Sequence, residues 1–191
     1  MELRRAITER RSIRKFRPEP VPRSLIETIL ELAMWAPSGM NQQNWYFVVV
    51  RGEKLDRLRE ISKRAFDEHL AESLMKVFAH KPHVCEVTRG FFYTLGDASV
   101  VVLAYRGSTV EGEATDTQSV AAAIQNLLLA AHACGLGGCW MTGPLCLENE
   151  INELVGVEDL RLQAVVPIGH PEGHPPAPKR KEAKVKWIGF D

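Results

Sequence analysis

The stretch Ser99-Val100-Val101-Val102-Leu103-Ala104-Tyr105 carries no charged side chain and is mostly apolar at odd and even positions alike. Successive side chains of a β-strand point to opposite faces of its sheet, so this strand has two apolar faces. A strand of that kind is stable when both of its faces are covered. We therefore predict a strand over residues 99–105 in the centre of a sheet.

Three other apolar runs are candidates for strands. Trp45 to Val50 follows a polar loop, and Leu162 to Ile168 lies near the C-terminus. Between them, Cys139-Trp140-Met141 comes directly after the glycine-rich Gly135-Leu136-Gly137-Gly138. Runs of β-branched and aromatic residues favour strands, so we expect strands at all three places.

Apolar residues at helical spacing predict helices between these strands. The longest helix, from about Thr117 to Cys134, is apolar over a wide arc, as expected in a core or a subunit interface. Another helix should begin near Pro22 or Ser24, because Ser24 and Glu27 have capping-box spacing, and Pro37 should end it. Shorter helices are expected around residues 3–7, 55–65 and 148–155.

Two segments do not follow these patterns. Residues 66–96 contain the aromatic group Phe91-Phe92-Tyr93, and we interpret them as a mobile cover that contains short helices. Residues 170–191 hold four of the eleven prolines and end near Trp187-Ile188-Gly189-Phe190. Exposed aromatic residues are a liability on a monomer, so we expect this C-terminal arm to pack on a second subunit.

Composition narrows the class of protein. The chain has 191 residues, 45% of them hydrophobic, and its 24 Lys and Arg balance 24 Asp and Glu. This combination predicts one folded domain over residues 1–191 and lacks the basic excess that is typical of nucleic-acid binders. No apolar run approaches the roughly 20 residues that span a bilayer, and we find no secretory signal, so we expect a cytoplasmic protein without membrane contact.

The sequence shows few signs of metal, disulfide or hydrolytic chemistry. Four cysteines are too few for a disulfide scaffold. Cys134, Cys139 and Cys146 lie near His132, but their spacing matches no paired metal site, so buried reduced thiols are favoured and no metal is expected. The common glycine-rich nucleotide motifs, the serine nucleophile elbow and the zinc motif HExxH are absent.

The N-terminus is strongly basic, with seven Lys and Arg against two Glu in the first 17 residues. Arg10, Arg11, Ser12 and Arg14 cluster where a helix meets a loop, and we call residues 10–14 the basic segment. Guanidinium groups and a hydroxyl suit a phosphate dianion, because they donate several charge-assisted hydrogen bonds. Spacing alone leaves phosphate binding and a solvated basic face equally open.

Four consecutive amides, Asn41-Gln42-Gln43-Asn44, precede the strand at Trp45. A side-chain amide offers both a donor and an acceptor, which suits the imide edge of a flavin or a nucleobase. A loop that hydrogen-bonds its own backbone explains the same residues. Both interpretations stay open.

Taken in order, several motifs resemble those of the FMN-dependent nitroreductase family, and they extend over essentially the whole chain. They are Arg10-Arg11-Ser12-Ile13-Arg14-Lys15-Phe16, Ala36-Pro37-Ser38-Gly39-Met40-Asn41-Gln42-Gln43-Asn44-Trp45, Gln125-Asn126-Leu127-Leu128-Leu129-Ala130-Ala131, Gly135-Leu136-Gly137-Gly138-Cys139-Trp140, Pro167-Ile168-Gly169-His170-Pro171 and Lys179-Arg180. The family often has a proline where Asn44 stands. Residues 66–96 match no pattern, although that region helps to shape the substrate pocket in this family.

The resemblance implies a three-layer α-β-α fold of the α+β class, with a mostly antiparallel sheet flanked by helices, in a homodimer with an extended C-terminal arm. FMN would lie in the dimer interface and contact both subunits. The phosphate and ribityl chain would be held by Arg10, Arg11, Ser12, Arg14, Lys179 and Arg180. The isoalloxazine would be approached by Pro37, Ser38, Gly39, Asn41 and Gln43, in part from the partner subunit, with Thr142 and Gly143 beside N5.

As an activity, the resemblance implies ping-pong transfer of hydride from NADH or NADPH through FMN to an electron-poor small molecule, such as a nitroaromatic or a quinone. A reductive dehalogenase, an enzyme that breaks down the flavin and a non-catalytic FMN-binding protein are alternatives on the same scaffold. From another class, the basic N-terminus is a candidate arm for RNA or DNA. Trp35, Trp45 and Trp140 lie in apolar contexts rather than among the arginines, which argues against that arm.

Overall fold

A four-stranded antiparallel sheet lies in the middle of the molecule. In this computed structural model, which describes residues 1–190, the strands are β1 (Trp45–Val50), β2 (Val100–Arg106), β3 (Gly137–Gly138) and β4 (Arg161–Gly169). Their order in the sheet is β1-β2-β4-β3. β2 therefore lies between two neighbours, as its two apolar faces predict, and all of its residues are buried.

Helices cover both faces of this sheet. Within residues 1–190 they are α1 (Leu3–Glu9), α2 (Arg23–Ala33), α3 (Glu53–Ala65), α4 (Ala71–Val77), α5 (Pro82–Thr94), α6 (Glu113–Ala133) and α7 (Glu148–Val155). Odd-numbered residues of β2, such as Leu103, pack in a core with α3, α5 and α7. Even-numbered residues, such as Val102, pack in a second core with α2 and α6. The α+β fold with three α-β-α layers is thus confirmed.

The helix α2 begins at Arg23, with Pro22 as its N-cap residue and no side-chain cap. The capping box predicted from Ser24 and Glu27 is therefore wrong, and Glu27 accepts a hydrogen bond of 2.7 Å from Arg23 Nε instead. Pro22, with φ of −60°, leads the chain into the helix and places Ser24 inside the first turn, where it cannot cap. The helix also ends a turn earlier than Pro37, the predicted stop.

The strand predicted at Cys139-Trp140-Met141 is wrong in position, because β3 consists of Gly137 and Gly138 paired with β4. Pairing then continues irregularly. The Cys139 N–H donates to Pro167 O at 3.3 Å, and the Met141 N–H donates to Val165 O at 3.0 Å. Because Pro167 has no N–H to donate in return, the ladder is interrupted beside it.

Residues 66–96, which we call the cover segment, are helical along most of their length. A π-helical turn, Phe66–Leu70, is followed by α4 and α5, and a 3₁₀ turn at Leu95–Asp97 leads to β2. The rings of Phe66 and Phe92 lie 5.4 Å apart and anchor the segment in the first core. Helices are therefore confirmed here, and α5 with 13 residues is longer than the short helices expected.

The helix α6 begins at Glu113, one turn earlier than the predicted start at Thr117. Glu113 and Asp116 lie in its first turn, where negative charge interacts favourably with a helix N-terminus. Gly112, with φ of 86°, turns the chain into the helix.

The four cysteines are free thiols. Cys139 is buried, but Cys146 is exposed, which corrects the expectation that these thiols are buried. In the described part of the chain, no three His, Cys, Asp or Glu side chains are grouped so that they could hold a metal ion. None of the helices between residues 1 and 190 is both long and apolar enough to cross a membrane.

Candidate functional site

The basic segment lies extended against the edge of the sheet. Ser12 forms a parallel bridge with Gly138 of β3, and the Ile13 N–H donates to Gly138 O at 3.1 Å. Further along, the Phe16 N–H donates to Gly96 O at 2.8 Å. Since Ile13 and Phe16 are buried, the backbone between them is held at both ends.

Two glycines allow this close approach. A Cβ atom on Gly137 would lie 2.5 Å from Ile13 Cγ1, and one on Gly96 would lie 2.6 Å from the backbone oxygen of Arg14. Gly96 also has φ of 68°, in the left-handed region that favours glycine. Side chains at either position would displace the basic segment.

The cations near the N-terminus divide into paired and unpaired ones. The paired cations are Arg5 with Glu9, Lys15 with Glu172, and Arg17 with Glu19. Among residues 1–190, no carboxylate lies within ion-pair distance of Arg10 or Arg14. A solvated face therefore explains the paired cations, whereas Arg10 and Arg14 remain candidates to bind an anion.

Arg10 is half-buried beside other cations. Burial lowers the pKa of its guanidinium below the ordinary value, and the positive charges of Arg11 and Arg180 lower it further. Arg180 and its neighbour Lys179, both from the C-terminal arm, are exposed. A half-buried guanidinium near a second cation is unfavourable unless an anion balances it.

The Arg11 side chain, unlike that of Arg10, bonds to the backbone at the end of α1. Its Nη1 donates to Thr8 O and Arg10 O, both at 2.8 Å, and so satisfies carbonyl groups at the end of α1. Its Nε is buried without a hydrogen-bond partner in the described chain, as is His132 Nε2, and both side chains line a cavity of about 220 Å³. Burial lowers the pKa of His132. His132 is a single histidine on a largely apolar helix, and nothing in the sequence predicts that it lines this cavity.

A larger cavity of about 680 Å³ lies between the sheet and the cover segment. On the side of the sheet it is lined by Arg14, Cys139, Trp140, Met141, Thr142 and Gly143. The Arg14 guanidinium lies 5.9 Å from the centre of the Phe91 ring, a cation–π contact. Gly143 packs so closely on the cover segment that an added Cβ would collide with the Phe92 ring.

The thiol of Cys139 lies close to the basic segment. Burial raises its pKa, although Arg14, the Ser12 hydroxyl and Arg10 oppose that shift. Burial therefore disfavours the thiolate, which is the reactive form. Cys139 packs in the first core.

The amide loop, residues 38–44, has a strained backbone. Met40, Asn41 and Gln43 have φ of 46°, 57° and 48°, in a region that residues other than glycine rarely adopt. The Gln43 N–H donates to Ser38 Oγ at 2.9 Å, and Gln43 Nε2 donates to Asn41 Oδ1 at 3.1 Å. The loop thus bonds to itself in part, yet its amide side chains at 41–43 stay exposed. Strain of this kind is common at functional sites.

Asp116 of α6 anchors the amide loop. Its carboxylate accepts hydrogen bonds from Asn44 Nδ2 at 2.9 Å and from the Thr109 N–H at 3.0 Å, as well as from the Thr109 hydroxyl. The Thr109 hydroxyl is the main reason that the pKa of Asp116 is lowered from its ordinary value. The Gly39 N–H adds a hydrogen bond of 3.2 Å to Ser119 Oγ. Asn44, where the family often has proline, therefore ties the loop to α6.

The amide loop and the basic segment lie at opposite ends of α6. The loop bonds to Ser119 near the start of the helix, whereas the basic segment shares a cavity with His132 in its last turn. Thirteen residues separate these two contacts, which corresponds to about 20 Å of helix. Within one chain, the structure does not bring these two predicted parts of the site together.

An antiparallel sheet between two helical layers, with Arg14 lining a cavity that has aromatic walls, defines the class of this protein as α+β. The chain belongs to the nitroreductase family, whose model matches residues 7–170.

Three known proteins illustrate the similarity. A protein of Methanothermobacter thermautotrophicus, named as an NADH dehydrogenase or NAD(P)H nitroreductase, is 32% identical over 92% of this chain and 80% of its own. The iodotyrosine deiodinase of Thermotoga neapolitana is 30% identical over 95% of both chains. A solved structure named as a nitroreductase in complex with FMN, from Desulfovibrio desulfuricans, is 28% identical with a TM-score of 0.69 and covers 95% of this chain and 92% of its own.

The anchoring role of Asp116 predicts a pH-dependent loss of stability on Asp116→Asn. The folded-state pKa is lowered from 3.8, so the carboxylate stabilises the fold fully above that pH and loses this effect as pH falls through the folded-state pKa. Urea unfolding from about pH 7 to about pH 2 should show a less stable variant at neutral pH and convergence with wild type in acid. Glu158→Gln, at an exposed position, is the control. A difference in unfolding free energy between variant and wild type that stays constant with pH would contradict the role of the carboxylate.

Proposed function

We propose that this protein is an FMN-dependent oxidoreductase that passes hydride from NADH or NADPH to an electron-poor small molecule, such as a nitroaromatic or a quinone. Membership of the nitroreductase family supports this function, as do the NAD(P)H nitroreductase named in Methanothermobacter and the FMN held by the Desulfovibrio structure. The observation that carries the proposal is the half-buried Arg10, which lines a cavity with Arg11 and His132 and has no carboxylate of the described chain within ion-pair distance.

The residues around Arg10 fit the phosphate of FMN. A phosphate dianion would balance Arg10 and Arg180, and it would give buried Arg11 Nε and His132 Nε2 the partner that the described chain does not supply. We infer that the phosphate and ribityl chain are held by Arg10, Arg11, Ser12, Arg14, Lys179 and Arg180. A charge-assisted hydrogen bond contributes about 1.5–3 kcal/mol.

The larger cavity suits the isoalloxazine ring. Thr142 and Gly143 would lie beside the ring near N5, with Arg14 at its edge, and the cover segment would exclude water from its face. When bound, the flavin supplies the hydride chemistry of the reaction. Donor and acceptor would both have to reach the ring through this cavity of about 680 Å³, so they would bind in turn, as a ping-pong sequence requires.

A homodimer would complete this site. In one chain, about 20 Å of α6 separates the amide loop from the basic segment. We therefore propose that a second copy presents Pro37, Ser38, Gly39, Asn41 and Gln43 to the ring. The strained, exposed loop is anchored to α6 rather than to the cavity of its own chain. Each dimer would then hold two flavins, each bound by both subunits.

The C-terminal arm, residues 170–191, is proposed to pack on the partner subunit. Trp187 and Phe190 are 69% and 76% exposed, and their rings meet edge to face at 5.1 Å. β1 is an edge strand with exposed Tyr46 and Val49. Its free backbone groups and apolar side chains offer a place for the arm of a second copy.

We place the protein in the cytoplasm. All four cysteines are free thiols in the fold, which suits a reducing compartment.

Reductive dehalogenation is the second candidate function. It is favoured by the iodotyrosine deiodinase of Thermotoga neapolitana, which matches 95% of this chain. Halide release from 3-iodotyrosine under anaerobic conditions tests it directly.

The proposed function predicts a yellow protein whose flavin absorbance is bleached by NADH or NADPH without oxygen and returns on addition of a nitroaromatic or quinone. Anaerobic visible spectroscopy of the purified protein measures all three steps. A colourless protein that FMN does not reconstitute would refute the proposal. A yellow protein that neither donor bleaches would indicate a non-catalytic flavoprotein.

The phosphate assignment predicts that Arg10→Ala weakens FMN binding by about 10- to 100-fold, since one charge-assisted hydrogen bond is lost. Titration calorimetry of the FMN-free protein measures this affinity. Arg5→Ala removes a cation from the same N-terminus, but one that is paired with Glu9. This control should bind FMN like wild type; equal losses in both variants would show that only the general positive charge matters.

The shared site predicts complementation between two defective subunits. Arg10→Glu would disable the phosphate site, and Gly39→Val would displace the amide loop, because a Cβ on Gly39 would collide with Thr115. A heterodimer of the two variants, isolated with two affinity tags, should regain one intact site and bind one FMN per dimer, whereas each homodimer should bind little. Absence of FMN from the heterodimer would show that each chain forms its own site.

A further inference from the structure

The larger cavity is poor in groups that bind positive charge. Its lining is mostly aliphatic and aromatic, with Phe78, Phe91, Phe92 and Trp140 among its walls. Its ionisable side chains other than Cys139 are Arg14 and His83. No Asp or Glu of the described chain lines it. The cavity therefore offers donors and positive charge but no carboxylate.

The acidic side chains of α4 and of the turn before it are engaged outside the cavity, and Glu86 of α5 is exposed and does not line it. The pairs are Asp67 with the Tyr93 hydroxyl at 2.7 Å, Glu68 with Arg64 at 3.3 Å, and Glu72 with Lys76 at 2.6 Å. These contacts direct the carboxylates of α4 and of the preceding turn to other partners. An ammonium group in the cavity would find no acidic side chain there to balance it.

His83 of the cover segment is a polar side chain that lines the cavity. Along residues 1–190 it makes no hydrogen bond and no ion pair, and it lies in the first turn of α5. The neighbouring Thr88 hydroxyl is already bonded to Val84 O at 2.7 Å. An imidazole N–H is thus available at the wall that the cover segment provides.

We propose that the acceptor bound in this cavity is a flat aromatic compound with a negatively charged group, and that His83 donates a hydrogen bond to that group. This inference rests on the proposed function and narrows its acceptor class. Apolar walls take the ring, and the imidazole N–H of His83 meets the anionic group. The lining from this chain offers no carboxylate to the ammonium group of an amino-acid zwitterion such as iodotyrosine, so this inference argues against the second candidate function.

Equilibrium dialysis of the oxidised, FMN-loaded protein tests this preference with four nitroarenes that differ in charge. They are 4-nitrobenzoate, 4-nitrotoluene, 4-nitrobenzylamine and 4-nitrophenylalanine. The anion should bind at least about tenfold more tightly than the amine or the amino acid, because an unpaired buried ammonium is unfavourable. The uncharged 4-nitrotoluene should bind with intermediate affinity.

Variants of His83 test its role in the same assay. His83→Ala should weaken binding of 4-nitrobenzoate by about tenfold, the loss expected for one hydrogen bond to a charged group, and leave 4-nitrotoluene unchanged. His83→Gln retains a donor and should restore much of the affinity. His80→Ala, at an exposed histidine that does not line the cavity, is the matched control and should behave like wild type.

Two results would overturn the inference. One is equal affinity for 4-nitrobenzoate and 4-nitrobenzylamine, and the other is an equal effect of His83→Ala on charged and neutral ligands. Bleaching of the flavin by NADH or NADPH is recorded on the same preparations. A flavin that stays oxidised contradicts the proposed function whatever dialysis shows, whereas normal bleaching without charge preference contradicts this inference alone.

Discussion

Burial of β2 on both faces is the constraint on which the rest of the structure depends. Leu103 and Val102 enter different cores, so helices must cover both sides of the sheet. That requirement places α6 on one face and the cover segment, with α3 and α7, on the other. The candidate site then forms where these layers meet the sheet edge, beside Gly138.

The two ends of α6 organise the polar parts of the molecule. Near its start, Asp116 and Ser119 hold a strained amide loop. Near its end, His132 lies in a cavity with Arg10. A helix is rigid over this length, so the separation between the two groups is set by the fold and cannot close within one chain. Association of two chains is the simple way to bring such groups to one planar ligand.

Local patterns predict the regular elements well and their irregular edges poorly. β1 and α7 begin and end at or near the residues that their patterns indicate, because the period of their apolar residues is strong. The capping box at Ser24 is wrong because Pro22 already sets the helix entry. The short strand after the long helix is misplaced because Pro167, almost thirty residues away in sequence, cannot donate to it. Such effects depend on which residue lies opposite, and the sequence does not display that.

Sequence patterns are enough to predict the central strand with two apolar faces, the long apolar helix, the basic segment, the amide loop and the resemblance to a flavin-binding family. Which cations have partners is known only once the chain is folded. Lys15 is paired with Glu172, whereas no carboxylate of the described chain lies within ion-pair distance of Arg10. The tertiary structure also decides the positions of His132 and His83 and the lack of acidic side chains around the larger cavity in the described chain. Charge pairing acts over a few ångströms between residues far apart in the chain, so only folding reveals which charges remain to meet a ligand.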